Sequence, residues 1–201
     1  TGGSVSGGTS TLAGTYGSLS LDTGTGAYTY TPNNTAINAL TANASDTFTV
    51  SVSDGHGGSN TATYTVNLMG ANDTPTLVTP TAASYTDTSA NDTFSSNTGT
   101  LVVIDRDSGQ TLTYGITGGS VSGGTSTLTG IFGALSVNTA TGGYTYTPSD
   151  SAINGLTSNI VRNFTVTVSD GLATAQATFT VNLLDMTAPT VSSVAVTSAT
   201  G

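Results

Sequence analysis

The chain has 201 residues, eleven acidic groups that are all Asp, two basic residues (Arg106 and Arg162), one His and no Cys, giving a formal charge of −9 at pH 7. Nucleic acid is excluded as a partner, because binding it takes the Lys and Arg that neutralise phosphates. A disulfide framework is excluded for want of Cys, and helical membrane insertion because no apolar run approaches ~20 residues. Lys and Glu are absent while Thr, Ser, Gly, Val and Asn dominate, so the strand formers face little helical competition and the chain reads as all-β.

In chain order, the glycine-rich TGGSVSGGTST at the start reads as a loop with an irregular edge strand; it lacks the Lys and following helix of a phosphate loop. GSLSLDTGTGAYTYTP (17–32) reads as strand, Gly-rich turn and strand, with Leu19, Leu21, Tyr28 and Tyr30 at period two. DTFTVSVSDGHGGSNTATYTVNLMG (46–70) is a second hairpin, with Phe48, Val50 and Val52 on one strand and Tyr64, Val66 and Leu68 on the other. TLVVID (100–105) and TLTYGIT (111–117) supply two further strands, and SDSAINGL (149–156) a helical turn. About seven short strands separated by turn signals indicate an immunoglobulin-like β-sandwich.

The chain repeats itself. Residues 1–55 and 117–171 align without a gap, about two-thirds of the positions are identical, and TGGSVSGGTSTL occurs twice word for word. The copies start 116 residues apart (Thr1 and Thr117), a single-domain length that excludes short solenoid repeats. Pro75 and Pro189 close the linkers GANDTP and LDMTAP. The boundaries are therefore an incomplete repeat over 1–74, a complete one over 75–187, and the opening strand of a further Ig-like module over 188–201. The first copy lacks a counterpart of residues 75–116. The expectation is that its sandwich is completed either by sequence outside this chain or by a strand donated from a neighbouring chain.

Two aspartates one residue apart, Asp105 and Asp107 in IDRDSGQ, repel each other unless a cation neutralises them, and the chain has few cations of its own. Calcium accepts about six to eight oxygen ligands, and carboxylates, Asn side-chain carbonyls and backbone carbonyls all serve. The alternative is that exposed aspartates close turns; that is the reading for Asp22 in its hairpin, and Asp87, Asp92 and Asp150 read as solvated loop residues. His56 in DGHGGSN is replaced in the second copy by DGLATAQ, so the repeat does not depend on it. Zinc is excluded by the lack of Cys and of a second His.

Together, DRDSGQTLTYGITGG, GTYGSLSLDTGTGAYTYTP, FTVSVSDGHGG and GANDTP resemble the VCBS-type repeat of giant bacterial RTX-type adhesins and surface proteins, and more distantly cadherin repeats. The resemblance runs from residue 1 to about 185. It implies tandem Ig-like or cadherin-like β-sandwich repeats with calcium held at a linker. Carried onto this chain, the implied ligands are Asn72 and Asp73 of the linker, Asp105 and Asp107 of the Asp-x-Asp loop, and Asp170 of VSDG. Asp54, the repeat equivalent of Asp170, and Asp185, at the start of the second linker, stand next in line. Asn33 or Asn34 is a further contributor from the first copy, and Gly70 stands where many such linkers carry an acid.

The resemblance implies a non-enzymatic function: calcium-stiffened stalk or spacer repeats of a bacterial cell-surface or secreted adhesin or filament protein. The partners are neighbouring repeats and possible further copies of the chain, with no nucleic acid and no membrane insertion. Two alternatives stand beside it: repeats that themselves bind glycan, matrix or copies of themselves, and accessory domains of a secreted hydrolase.

Overall fold

Alternation of apolar residues with Thr and Ser turns most of this chain into strands. The computed structural model describes residues 2–186. By packing these form two units, one of residues 2–75 with 105–111 and 170–173, the other of 76–104, 112–169 and 174–186.

The first unit carries β1 (Ser4–Ser6), β2 (Thr9–Ala13), β3 (Gly17–Asp22), β4 (Tyr28–Pro32), a five-residue helix α1 (Asn34–Asn38), β5 (Ala44–Ser53) and β6 (Ser59–Leu68). β1 to β4 form one antiparallel sheet in sequence order, and β5 and β6 form a separate hairpin. The Gly-rich start is a regular hairpin, with Ser4 opposite Thr11 and Ser6 opposite Thr9, where the composition suggested a loop with an irregular edge. Asn33 caps α1, its Oδ1 accepting from the Ala36 amide at 3.2 Å. That cap is a structural use for a residue proposed from sequence as an ion ligand.

The second unit carries β7 (Thr76–Leu77), β8 (Ala83–Asp87), β9 (Asn97–Thr100), β10 (Val103–Ile104), β11 (Thr113–Ile116), β12 (Ser120–Ser122), β13 (Thr125–Gly130), β14 (Gly133–Asn138), β15 (Gly143–Pro148), α2 (Asp150–Ile153), β16 (Ile160–Ser169) and β17 (Thr174–Asp185). Its two main sheets run β12-β13-β14-β15-β9 and β11-β16-β17-β8. Between them Leu135, Val137, Tyr144 and Tyr146 meet Phe164, Val166, Val168, Phe179, Val181 and Leu183 in one apolar core. This is a β-sandwich, with the pattern of inward and outward residues read from sequence. TLVVID is not one continuous strand. Leu101 donates its amide to Gly142 and Val102 accepts from Val78, so the stretch is split between Thr100, which ends β9 opposite Gly143, and Val103 and Ile104, which pair with β7.

Strands β12 to β17 reproduce β1 to β6, α2 included, which is the repeat seen in three dimensions. The second unit adds β9 on the edge of β15, β11 on β16, and β8 parallel to β17. Among the described residues, the matching edges of β4, β5 and β6 have no partner strand. Burial follows. Val168 is 0% exposed and Tyr144 8%, whereas their equivalents Val52 and Tyr28 are 68% and 58% exposed.

The copies also differ at Asp46, whose repeat equivalent is Arg162. Asp46 is buried and accepts from the Thr15 and Tyr16 amides at 2.9 and 3.0 Å and from the Tyr30 hydroxyl at 2.8 Å. In the second copy the guanidinium of Arg162 lies 5.1 Å over the Phe132 ring, and Tyr146 donates to the Phe132 carbonyl instead. Burial, ahead of any neighbouring charge, pushes the hydroxyls of both Tyr30 and Tyr146 up from 10.0 to about 12. Stability drawn from these neutral phenols is full below pH 10.0 and lost as pH rises through about 12. An absorbance titration of single-Tyr variants should show both ionising late; midpoints near the ordinary value would contradict their burial.

Candidate functional site

The segment leaving β6 is pinned first. The amide of Ala71 donates to the Leu40 carbonyl at 3.0 Å and that of Gly70 to Asn43 Oδ1 at 3.2 Å. A side chain at Gly70 would fall on the Ala42 carbonyl, so this backbone approach leaves no room for the acid that similar linkers carry.

From there Asn72 reaches three ways. Its Nδ2 donates to Asp170 Oδ2 at 3.0 Å and to the Asp73 carbonyl at 3.1 Å, and its Oδ1 accepts from Gln110 Nε2 at 2.5 Å. The Asp73 amide donates to Asp107 Oδ2 at 2.6 Å, and the Asp107 amide to Asp105 Oδ1 at 3.1 Å. The last bond closes a turn by a side chain, which is why Asp-x-Asp holds both carboxylates in one loop. Ser108 ties this loop to the Ala39 carbonyl through its amide and its hydroxyl, each at 3.4 Å. Asp170 closes its own loop, Oδ1 accepting from the Leu172 and Ala173 amides at 2.7 and 2.6 Å.

Asn72, Asp73, Asp105, Asp107 and Asp170, five of the residues singled out from sequence, thus lie in one hydrogen-bonded network within the first unit. Gln110 completes it and was missed; its signal was its place in the loop opened by Asp-x-Asp. Three oxygens of the network, Asp105 Oδ2, Asp107 Oδ1 and Gln110 Oε1, are buried and accept no hydrogen bond. Buried oxygens left in that state are costly, and doubly so on carboxylates. Among the described residues, no three acidic, imidazole or thiolate side chains gather closely enough to form a metal shell by themselves.

The other candidates stand apart. Asp54 is exposed, and its Oδ1 accepts from the His56 and Gly58 amides at 2.8 and 2.9 Å within its own hairpin loop. Asp185 ends β17, its amide donating to Asn159 Oδ1 at 2.8 Å, and in the parallel ladder it stands beside Asp87. Asp87 corrects the sequence reading. It is not a solvated loop residue but the last residue of β8, 0% exposed, with neither carboxylate oxygen hydrogen-bonded. The alternation Ala83, Tyr85, Asp87 carried the signal, since period two puts all three on the buried face. Asp150 is likewise engaged, accepting from the Phe94 amide at 3.1 Å, whereas Asp22 closes its turn as expected. The segment read as a further module, 188–201, lies outside the described residues.

Hydrogen bonds from the Ala173 amide and then the Asn72 side chain hold the Asp170 carboxyl below its ordinary value of 3.8, with burial opposing them. A depressed folded value means stability that is present above the ordinary carboxylate range and lost as pH falls through the lowered midpoint. The carboxyl-carbon NMR titration of Asp170 should therefore show a midpoint below 3.8, and Asn72→Ala should raise it. A midpoint unmoved by that substitution would show that Asn72 does not act on Asp170.

Residues 2–70 match the family model of the bacterial cadherin-like domain. The strands of that segment recur in the second unit, whose fold is a β-sandwich. Among solved structures the chain is similar to mouse cadherin-23 EC22-24 (15% identity, 85% of this chain and 50% of that one, TM-score 0.33). It is similar also to protocadherin gammaB7 EC3-6 (18% identity, 88% and 42%, TM-score 0.38) and to Drosophila N-cadherin EC1-4 (13% identity, 87% and 40%, TM-score 0.36). The chain spans half or less of each of these structures. No curated protein matches it.

Proposed function

We propose that this chain is part of a calcium-stiffened spacer in a large extracellular bacterial protein, of the kind the VCBS-type resemblance implies in surface adhesins. The observation that carries the reading is the set of three buried, unsatisfied oxygens on Asp105, Asp107 and Gln110, inside a network that also holds Asn72, Asp73 and Asp170. A hard divalent cation satisfies such oxygens where a hydrogen-bond donor does not. Calcium fits because its shell draws on amide and backbone oxygens as well as carboxylates, so it does not require three acids in one tight cluster.

Calcium bound here would join the 72–73 segment to the 105–110 loop and the 170–173 loop, three stretches otherwise tied by a few hydrogen bonds. Restricting their freedom is a mechanical function. It needs no catalytic group, and it fits a chain whose described helices are none of them long and apolar enough to cross a membrane. Calorimetric titration tests it: calcium should bind saturably and magnesium much more weakly, since the smaller ion demands a strict octahedral shell. No heat of calcium binding, or equal binding of both ions, would sink the reading.

A further inference from the structure

The repeat supplies an internal standard for one corner of each copy. In the first, the turn between β2 and β3 presents two successive amides, those of Thr15 and Tyr16. Each donates to a different oxygen of the Asp46 carboxylate, at 2.9 and 3.0 Å, and the Tyr30 hydroxyl adds a third donor at 2.8 Å. Successive backbone amides aimed at one anion form a built anion site, and here the protein fills it with a carboxylate of its own β5.

The second copy keeps the turn and omits the carboxylate. Ile131 and Phe132 stand where Thr15 and Tyr16 do, between β13 and β14, and Arg162 replaces Asp46. Neither the Ile131 nor the Phe132 amide has an acceptor among the described residues. The space is open as well. A Cβ added at Gly14 would meet the Asp46 carboxylate at 2.5 Å, whereas at the equivalent Gly130 the nearest atom is the Gly133 carbonyl oxygen at 3.4 Å. Around it lies a cleft of about 300 Å³ lined by Leu128, Ile131, Phe132, Tyr146, Arg162 and Phe164. The guanidinium, 5.1 Å over the Phe132 ring, is paired with no carboxylate among the described residues.

We propose that this cleft is a receptor for a carboxylate supplied from outside the chain, an Asp or Glu side chain of another protein's segment with apolar neighbours. The two amides and the guanidinium fork are all donors, and a carboxylate accepts from all of them where a neutral group does not. The apolar lining suits peptide side chains better than the hydroxyls of a sugar, and a chain of charge −9 repels a polyanion. A second copy of this chain is a poor source. Asp46 and Asp87 are buried, and Asp22, Asp54, Asp92, Asp150 and Asp170 already accept amide hydrogen bonds.

The test is amide NMR of the whole chain, without added metal, titrated with acetyl-Val-Asp-Val-amide and separately with its Asn counterpart. The expected result is saturable binding of the acidic peptide, with a dissociation constant on the order of millimolar, and shifts at Ile131, Phe132 and the Arg162 side chain. Thr15 and Tyr16, whose acceptor is in place, should not move. Arg162→Gln should weaken binding about tenfold. Arg162→Asp should abolish it and, with no peptide present, move the Ile131 and Phe132 amides downfield as its own carboxylate takes the site. No saturable shift, an equal response to the Asn peptide, or binding at parent strength in either variant would overturn the proposal. Tighter binding of glucuronate than of the peptide would overturn it by making the ligand a sugar acid. Concentration-dependent shifts of the same amides in the chain alone would overturn it by making the occupant a second copy.

Discussion

Replacing Asp105 and Asp107 together with Asn should abolish the stability gained from calcium, while leaving the calcium-free protein at least as stable as the parent. The two signs have one cause. Without an ion, Asp105 Oδ2 and Asp107 Oδ1 are buried carboxylate oxygens with no donor, close in sequence and held in one turn. Asn keeps an Oδ1 to accept from the Asp107 and Asp73 amides, so the turn survives, but the repulsion and the charge are gone. With an ion, the same carboxylates are the strongest ligands available. At a free concentration one hundred times its dissociation constant, one calcium adds ~2.7 kcal/mol, on the order of 10 °C in melting temperature for a repeat of this size. Scanning calorimetry of parent and double variant, in chelator and in excess calcium, measures all four terms. A calcium shift that persists in the double variant would place the ion elsewhere.

Phe164→Ala should destabilise the second unit by about 3–5 kcal/mol, because the ring is buried against Tyr146 and Phe179 with centroids at 5.8 and 6.4 Å, and the cavity left behind cannot collapse. The repeat provides the control that makes this more than a core mutation. Val168→Ala, at a fully buried site, should cost roughly 1.5–3 kcal/mol. Val52→Ala, the same substitution in nearly the same local sequence but at 68% exposure, should stay within about 0.5 kcal/mol. Urea unfolding curves with two resolved transitions would measure them separately. Equal losses at the two valines would mean that Val52 is covered in solution.

Much of this was legible locally. Period-two alternation placed the hairpins of both copies, because a strand with one buried face repeats every two residues whatever it packs against. The Asp-x-Asp loop could be named because two aspartates one residue apart in a chain this poor in cations repel each other unless something neutralises them, whereas Asn72 and Asp73 of the linker were implied by the resemblance alone. Other features depended on segments far away in the sequence. Gln110 joins the network only because the chain returns beside Asn72, and Gly70 is required only by the approach of the Ala42 backbone. Asp87 reads in the sequence as a solvated loop residue, and β8 carries it along β17 in a parallel pairing between residues about a hundred positions apart. The valines state the division most plainly: FTVSVSDG and FTVTVSDG differ by one hydroxyl-bearing residue, yet Val52 is exposed and Val168 is not. Local sequence determines that a strand forms and which way its side chains alternate; whether that face is buried depends on strands contributed from far along the chain, which only the tertiary structure brings onto it.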